Sequence, residues 1–320
     1  MRSLSGIQPS GALHIGNYFG AIKQYISLQD VHEGYYFIAN YHALTTVRDA
    51  ATMRVNCVAL AMDFLALGLD PRRSVLFLQS DVPEVCELSW LLSTVTPMGL
   101  LERCHAFKEK VAEGIAADHG LFAYPVLMAA DILIYRSDLV PVGQDQKQHV
   151  EVTRDMALKF NNTYGEVLKL PEALILPEVA VVPGIDGRKM SKSYGNAILI
   201  FEEPEEIKSK VMRIKTDSTP VEDPKDPDTC NVFALYRLFA TNGQRAEMAE
   251  RYRKGGVGYG EVKKQIVALM TEYFAEARAR RKELEKTPDY VMDVLRAGGR
   301  TARAEARRTL DAAREAVGCP

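Results

Sequence analysis

Apolar residues fall into short compact runs in the first half of the chain and into helical stripes along its whole length. The segment Leu4-Ser5-Gly6-Ile7 is a short apolar opening. Three further runs, Tyr35-Tyr36-Phe37-Ile38-Ala39, Ser74-Val75-Leu76-Phe77-Leu78 and Asp138-Leu139-Val140-Pro141-Val142, are rich in aromatic and β-branched residues and predict buried strands. Between them, helical spacing predicts helices over 16–28, 50–67, 83–93, around 100–112, over 121–135 and over 146–161. Gly68 follows the second of these as an expected helix stop. Strands that alternate with helices of this length predict βαβ units and an α/β fold around a parallel sheet. Such sheets bind ligands beyond the carboxyl ends of their strands, which directs attention to the loops after Leu4, Ala39 and Val142.

Beyond about residue 195 the strand pattern stops. Helices are predicted over 205–214, 231–240, 260–286 and 301–317, with a loop over 217–228 that holds three prolines and five acids. A domain boundary is therefore expected near residue 195, with an all-helical domain after it.

Composition narrows the classes. The chain has 320 residues, 47% hydrophobic and 26% charged, with 40 Lys and Arg against 42 Asp and Glu. This is globular composition, and a nucleic-acid partner would have to meet a local basic surface rather than a basic molecule. Arg278, Arg280, Arg281 and Lys282 form one such cluster, which also reads as a solvated helix face. No apolar run approaches ~18 residues, so no membrane span is expected, and the first ten residues lack the apolar core of a secretion signal. Five scattered cysteines without a C-x-x-C pair fit reduced thiols in the cytoplasm rather than a disulfide or zinc framework.

Two segments carry candidate chemistry. Ser5 to Asn17 contains a glycine-rich turn leading into a helix, with His14 and Asn17 three apart on its first turn. Glycines let a ligand approach the backbone, and a helix N-terminus attracts phosphate; a capped turn with a packed histidine has the same pattern. Neither a G-x-G-x-x-G fingerprint nor a P-loop is present. Further along, Gly187 to Gly195 holds Lys189 and Lys192, Ser191 and Ser193 between flanking glycines. A loop of this kind can close over a polyphosphate and stabilise charge on a leaving pyrophosphate, or can be merely a solvated basic loop.

Together the two segments are far more specific. His14-Ile15-Gly16-Asn17 resembles the H-I-G-H signature of class I aminoacyl-tRNA synthetases, and Lys189-Met190-Ser191-Lys192-Ser193 is identical to that class's K-M-S-K-S. Within the class the chain resembles the tryptophanyl-tRNA synthetase family along nearly its whole length. The matching segments include Gly6 to Gly11, Phe107 to Lys110, Tyr124 to Leu133 and Val140 to His149. It departs at Asn17, where the class signature has His, and at Leu4, where Phe is common in the family.

The resemblance implies a Rossmann-like catalytic domain over 1–195, rejoined by a C-terminal helix over 298–320, and an α-helical anticodon-binding domain over 196–297. It also implies ATP with Mg²⁺ as substrate, L-tryptophan and tRNA(Trp) as partners, a homodimer, and no tightly bound protein-ligated metal. Gln8, Pro9, Ser10, Gly16 and Asn17 would line the ATP site, with His14 on the phosphates. Gly143, Gln144 and Asp145 would hold the adenosine. Lys189 and Lys192, with Lys110 opposite, would act catalytically on the pyrophosphate, and Val182, Met190, Ser191 and Ser193 would complete the nucleotide site. Indole has one polar edge, an N–H donor, for which Asp131 in the apolar run 128–133 would be the acceptor. Leu4, Met128, Val140 and Val142 would wall the ring, His42 would line the pocket, and Tyr124 and Gln146 would bind the α-amino or carboxylate end.

Three other readings fit parts of the chain: the sister tyrosyl-tRNA synthetases, a small-molecule ligase or nucleotidyltransferase on the same fold, and a catalytically idle RNA-binding or interaction module. The segment 128–131 opposes the first, the helical half the second, and the intact His14, Asn17, Lys189 and Lys192 the third.

Overall fold

A computed structural model describes residues 1–104, 118–143, 146–175 and 181–319. Among these the chain divides into two compact units, one of residues 1–11, 25–175 and 286–319, the other of 12–24 and 181–285. This cut by compactness differs from one at residue 195. It places the first signature segment and the lysine loop with the helical residues, for packing reasons given below.

The first unit is built on a five-stranded sheet of β1 (Arg2–Ile7), β2 (Glu33–Ile38), β3 (Ser74–Leu78), β4 (Leu139–Val142) and β5 (Glu172–Ile175). Every pair is parallel and the order is β3-β2-β1-β4-β5. Leu4 sits opposite Tyr35, Phe37 opposite Phe77, and Val140 opposite Ala173. From β1 the chain steps outward one way to β2 and β3, and the other way to β4 and β5. The order reverses between β1 and β4, where parallel sheets open a crevice at their carboxyl ends. Leu4, Tyr35, Phe37, Phe77, Val140 and Val142 are buried in one core with the helices that cover the sheet.

The covering helices begin and end where the sequence supplies caps. Helix α1 (Ala50–Ala66) starts at Asp49, whose carboxylate accepts from Thr52 N at 2.6 Å, and stops before Gly68 at φ +111°. Helices α2 (Glu84–Ser93), α3 (His119–Ile134) and α4 (Lys147–Tyr164) follow. The long α5 (Pro288–Val317) runs for 30 residues and stops at left-handed Gly318. Glu84 on α2 accepts from Arg303 at 2.7 Å and Arg307 at 2.9 Å, and Glu87 accepts from Arg314 Nε at 2.6 Å, which ties α5 to α2.

Helix α5 starts well before residue 301. Glycine disfavours helix interiors, yet Gly298 and Gly299 lie inside this helix. In the fold they are a contact. A Cβ on Gly298 would collide with the backbone carbonyl of Leu76 on the outermost strand β3, so only a glycine lets the helix lie this close. Two other elements escape the sequence pattern. Strand β5 is a four-residue edge strand, and the helix Asn242–Lys254 is polar nearly throughout, with only Met248 and Tyr252 buried. The helix expected around 100–112 begins as Met98–Glu102; its later residues lie outside the described ones.

In the second unit the helices Pro204–Met212, Asn231–Phe239, Asn242–Lys254, Tyr259–Tyr273 and Ala275–Lys286 follow one another. The first signature segment belongs here through its aromatics. Tyr18 and Phe19 pack edge-on against Phe274 at centroid distances of 5.1 and 6.5 Å, and Phe19 meets Phe239 at 5.3 Å.

Candidate active site

The crevice of the first unit holds a cavity of about 420 Å³ at the carboxyl ends of β1, β2 and β4. All eight residues expected around tryptophan line it: Leu4 from β1, Val140 and Val142 from β4, His42 from the turn after β2, Tyr124, Met128 and Asp131 from α3, and Gln146 from the start of α4. Gln8, expected at the ATP site, lines the same cavity, and Ser10 N donates to Gln8 O at 2.8 Å, which fixes the turn. Pro9 is buried beside it and Gly143 is half-buried after β4. Lys110, Gln144 and Asp145 lie outside the described residues.

Asp131 is 1% exposed. Its carboxylate accepts from Gln79 Nε2 at 2.9 Å on both oxygens, and His42 Nε2 lies 2.8 Å from Oδ2. Burial pushes the carboxyl up, while the hydrogen bonds and charge of its neighbours draw it back. An ionised carboxylate offers about four lone-pair directions, so these partners hold the group in orientation and leave capacity for a further donor.

Gln79 is a site residue the sequence did not single out. It is fully buried, directly after β3, and its Oε1 accepts from Tyr41 N at 3.0 Å while its Nε2 serves Asp131. Its position one residue beyond a predicted strand was the available signal. His149 is a second. It lines the same cavity, with Nε2 3.0 Å from the Tyr124 hydroxyl and Nδ1 2.7 Å from Gln146 Oε1. It lies three residues past Gln146, so both face one side of α4.

In the second unit His14 caps the helical turn Ile15–Asn17. Its Nδ1 accepts from Asn17 N at 3.2 Å, and Asn17 Oδ1 accepts from His14 N at 3.2 Å. Because Nδ1 is the acceptor, Nε2 carries the proton and is a donor. His14 is 6% exposed, and burial, helped by the positive charge of Lys192, lowers its pKa to about 4. The ring is therefore neutral at neutral pH. A Cβ on Gly16 would press into the His14 ring and meet Met190 Cβ at 3.4 Å, so the glycine admits the lysine loop.

The two signatures, far apart in sequence, are adjacent here. Ile15 N donates to Ile198 O at 3.0 Å, and Ile200 N to Leu13 O at 3.0 Å. The lysine loop folds back on itself, with Met190 N donating to Val182 O at 2.9 Å and Gly184 N to Arg188 O at 2.7 Å across a turn at Gly187, φ +87°. Val182 and Met190 are thereby buried anchors, while Lys189 and Ser193 are exposed and Ser191 and Lys192 half-buried. Ser191 and Ser193 hydroxyls lie 2.8 Å apart. The buried Asn196, absent from the sequence expectations, holds the loop at three points. Its Oδ1 accepts from Ser191 N at 2.8 Å, and its Nδ2 donates to Asp186 at 2.7 Å and to Lys189 O at 3.2 Å. A backbone-rich turn with a neutral imidazole N–H and two lysines is suited to a polyphosphate.

Residues 1–275 match the family of class I tRNA synthetases for W and Y. A tryptophan–tRNA ligase of Rhodopirellula baltica is 58% identical over 99% of this chain and 99% of its own. One from Fusobacterium nucleatum is 55% identical over 99% of this chain and 98% of its own. The crystal structure of tryptophanyl-tRNA synthetase from Campylobacter jejuni, complexed with ADP and tryptophan, superposes with a TM-score of 0.93 at 52% identity, covering 99% of this chain and all of that one.

Proposed function

The chain belongs to the class I tRNA synthetases for tryptophan and tyrosine, and from that footing we infer a tryptophan–tRNA ligase. It activates L-tryptophan with ATP to the adenylate, releases pyrophosphate, and transfers the aminoacyl group to tRNA(Trp). The observation that carries the choice of amino acid is Asp131, a buried and doubly held acceptor on the wall of a cavity that Leu4, Phe37, Met128, Val140 and Val142 also line. The indole N–H supplies the one donor such a wall calls for.

The attacking group is a carboxylate, already a nucleophile at neutral pH, so the protein need supply no general base. Its contribution is positioning and charge stabilisation at the α-phosphate and the departing pyrophosphate. Leu4, Met128, Val140 and Val142 hold the ring, with His42 at its edge, and Tyr124 and Gln146 take the backbone end of the amino acid. Gln8, Pro9 and Ser10, with Gly143, Gln144 and Asp145, take the nucleoside. His14 Nε2–H, the backbone at Gly16 and Asn17, and Lys189 and Lys192 take the phosphates, with Lys110 assisting. Val182 and Met190 seat the lysine loop, and Ser191 and Ser193 add hydroxyl donors. Mg²⁺ arrives with the nucleotide as part of the substrate.

The helical segment 196–297 reads the anticodon in this proposal, and the chain works as a homodimer in the cytoplasm. Trp90, 69% exposed on α2, and exposed Met98 give a second copy an apolar surface to cover. Among the described residues no helix is long and apolar enough to cross a membrane.

The test is amino-acid-dependent ATP–pyrophosphate exchange, run separately with each of the twenty amino acids. Exchange with tryptophan alone is expected. Exchange with tyrosine, or with none, overturns the assignment.

A further inference from the structure

Two polar side chains on the cavity wall, Tyr124 from α3 and Gln146 from the start of α4, are joined by a third, His149, which ends a family-matching segment but to which the resemblance assigned no role. His149 Nδ1 lies 2.7 Å from Gln146 Oε1, and an amide oxygen can only accept, so Nδ1 carries the ring proton. A neutral imidazole then has an acceptor at Nε2, 3.0 Å from the Tyr124 hydroxyl, and the tyrosine must donate to it. Among these three groups the donors then run from Tyr124 O–H to His149 Nε2 and from His149 Nδ1–H to Gln146 Oε1. His149 is itself buried and in edge-on contact with Tyr124 at a centroid distance of 6.0 Å, and Tyr124 stands edge-on to His42 at 6.3 Å.

We propose that His149 is a positioning residue which holds Tyr124 and Gln146 so that the tyrosine oxygen presents lone pairs, not its proton, to the α-ammonium group of the bound amino acid. The inference rests on the tryptophan reading of the cavity and deepens it. A phenol whose proton is already committed is an acceptor toward the cavity, which suits a cation and repels nothing on it. Replacing the imidazole removes the acceptor that draws this proton away from the cavity, and a proton turned inward opposes an ammonium. The hydrogen bonds of the histidine go to Tyr124 and Gln146, the two residues assigned to the backbone end of the ligand, so its effect is expected at that end.

Equilibrium binding of four compounds to the full chain separates these ends: tryptophan, tryptamine, indole-3-propionate and indole. His149→Phe is expected to weaken tryptophan and tryptamine by about tenfold to a hundredfold, the size of one hydrogen bond to a charged group. Indole-3-propionate and indole, which lack the ammonium, should stay within about threefold of the unaltered protein, as should the KM for ATP. His149→Gln keeps an acceptor within reach of Tyr124 and should recover most of the tryptamine binding. Tyr124→Phe, which leaves the histidine in place, should reproduce the same selective loss. Equal weakening of all four compounds in either phenylalanine variant, or a glutamine variant as weak as the phenylalanine one, overturns the proposal. Tryptamine binding unchanged in His149→Phe does so as well. Failure of the unaltered protein to bind tryptophan would instead overturn the tryptophan reading, which keeps the two outcomes distinct.

Discussion

Gln79 Nε2 stands 2.9 Å from each carboxylate oxygen of Asp131, while Gln79 Oε1 accepts from the backbone N–H of Tyr41. One fully buried amide thus locks the carboxylate to the turn that carries His42. Gln79→Leu removes a donor from a buried carboxylate and an acceptor from a buried N–H. We expect a stability loss of about 1–3 kcal/mol and tryptophan binding weaker by about tenfold or more. Thermal unfolding and calorimetric titration with tryptophan measure the two, and unchanged tryptophan affinity would remove Gln79 from the site.

Asp131 itself is tested with a ligand. The tryptophan analogue whose ring N–H is replaced by sulfur keeps the shape and loses the donor. A site built on a buried acceptor should discriminate against it by about 10⁴ in kcat/KM for exchange, and Asp131→Ala should lose both activity and most of that preference. Comparable use of both compounds by the unaltered protein would contradict the role of Asp131.

Lys192→Ala is expected to slow exchange by about 10²–10³, with equilibrium tryptophan binding within twofold, because the lysine acts on charge that grows during the reaction. Asn196→Ala removes the three hydrogen bonds that hold the loop and should cost about tenfold or more in the same assay, again without loss of tryptophan binding. Weakened tryptophan binding in either variant would argue for a general structural defect instead.

The pKa of His14, lowered from 6.5 to about 4, makes stability depend on pH. Between these values the unfolded chain binds a proton that the folded chain does not. Stability is therefore lost as pH falls from 6.5 toward 4 and is level again below that. His14→Asn keeps a side chain that caps the turn but cannot titrate, so its melting temperature should fall less across this window. Parallel melting curves for the two proteins from pH 7 to 4 would remove His14 from the acid response.

Gly298→Ala would ordinarily favour a helix. Here the added methyl collides with the Leu76 backbone, and we expect a loss of about 2 kcal/mol or more. Gly243→Ala, in a helix with nothing within 4 Å of the new carbon, is the control and should be neutral or stabilising by up to about 1 kcal/mol. Denaturant unfolding of both variants measures the difference.

The residues with a strong local pattern were legible in the sequence. Compact runs such as Tyr35 to Ile38 and Ser74 to Leu78 form strands because both of their faces are covered, which removes alternation and leaves a run. The eight cavity residues could be named because the resemblance fixes them by position, and the parallel sheet then gathers them. Gln79, His149 and Asn196 were not legible, since each works through partners remote in sequence or through backbone groups, and no local spacing marks that. The first signature's place in the helical unit was hidden for a similar reason. It depends on Phe19 meeting Phe239 and Phe274, contacts visible only once the helices are packed.

The closeness of Gly298 to Leu76 has a consequence for how the chain is made. A ribosome finishes all five strands before it reaches residue 288, and until then β3 is a bare edge whose peptide groups can recruit another strand. Only the arrival of α5, drawn onto Glu84 and Glu87 by its arginines, shuts that edge. Nascent chains stalled short of this helix therefore carry a complete and open sheet, and they are the species a chaperone has most reason to hold.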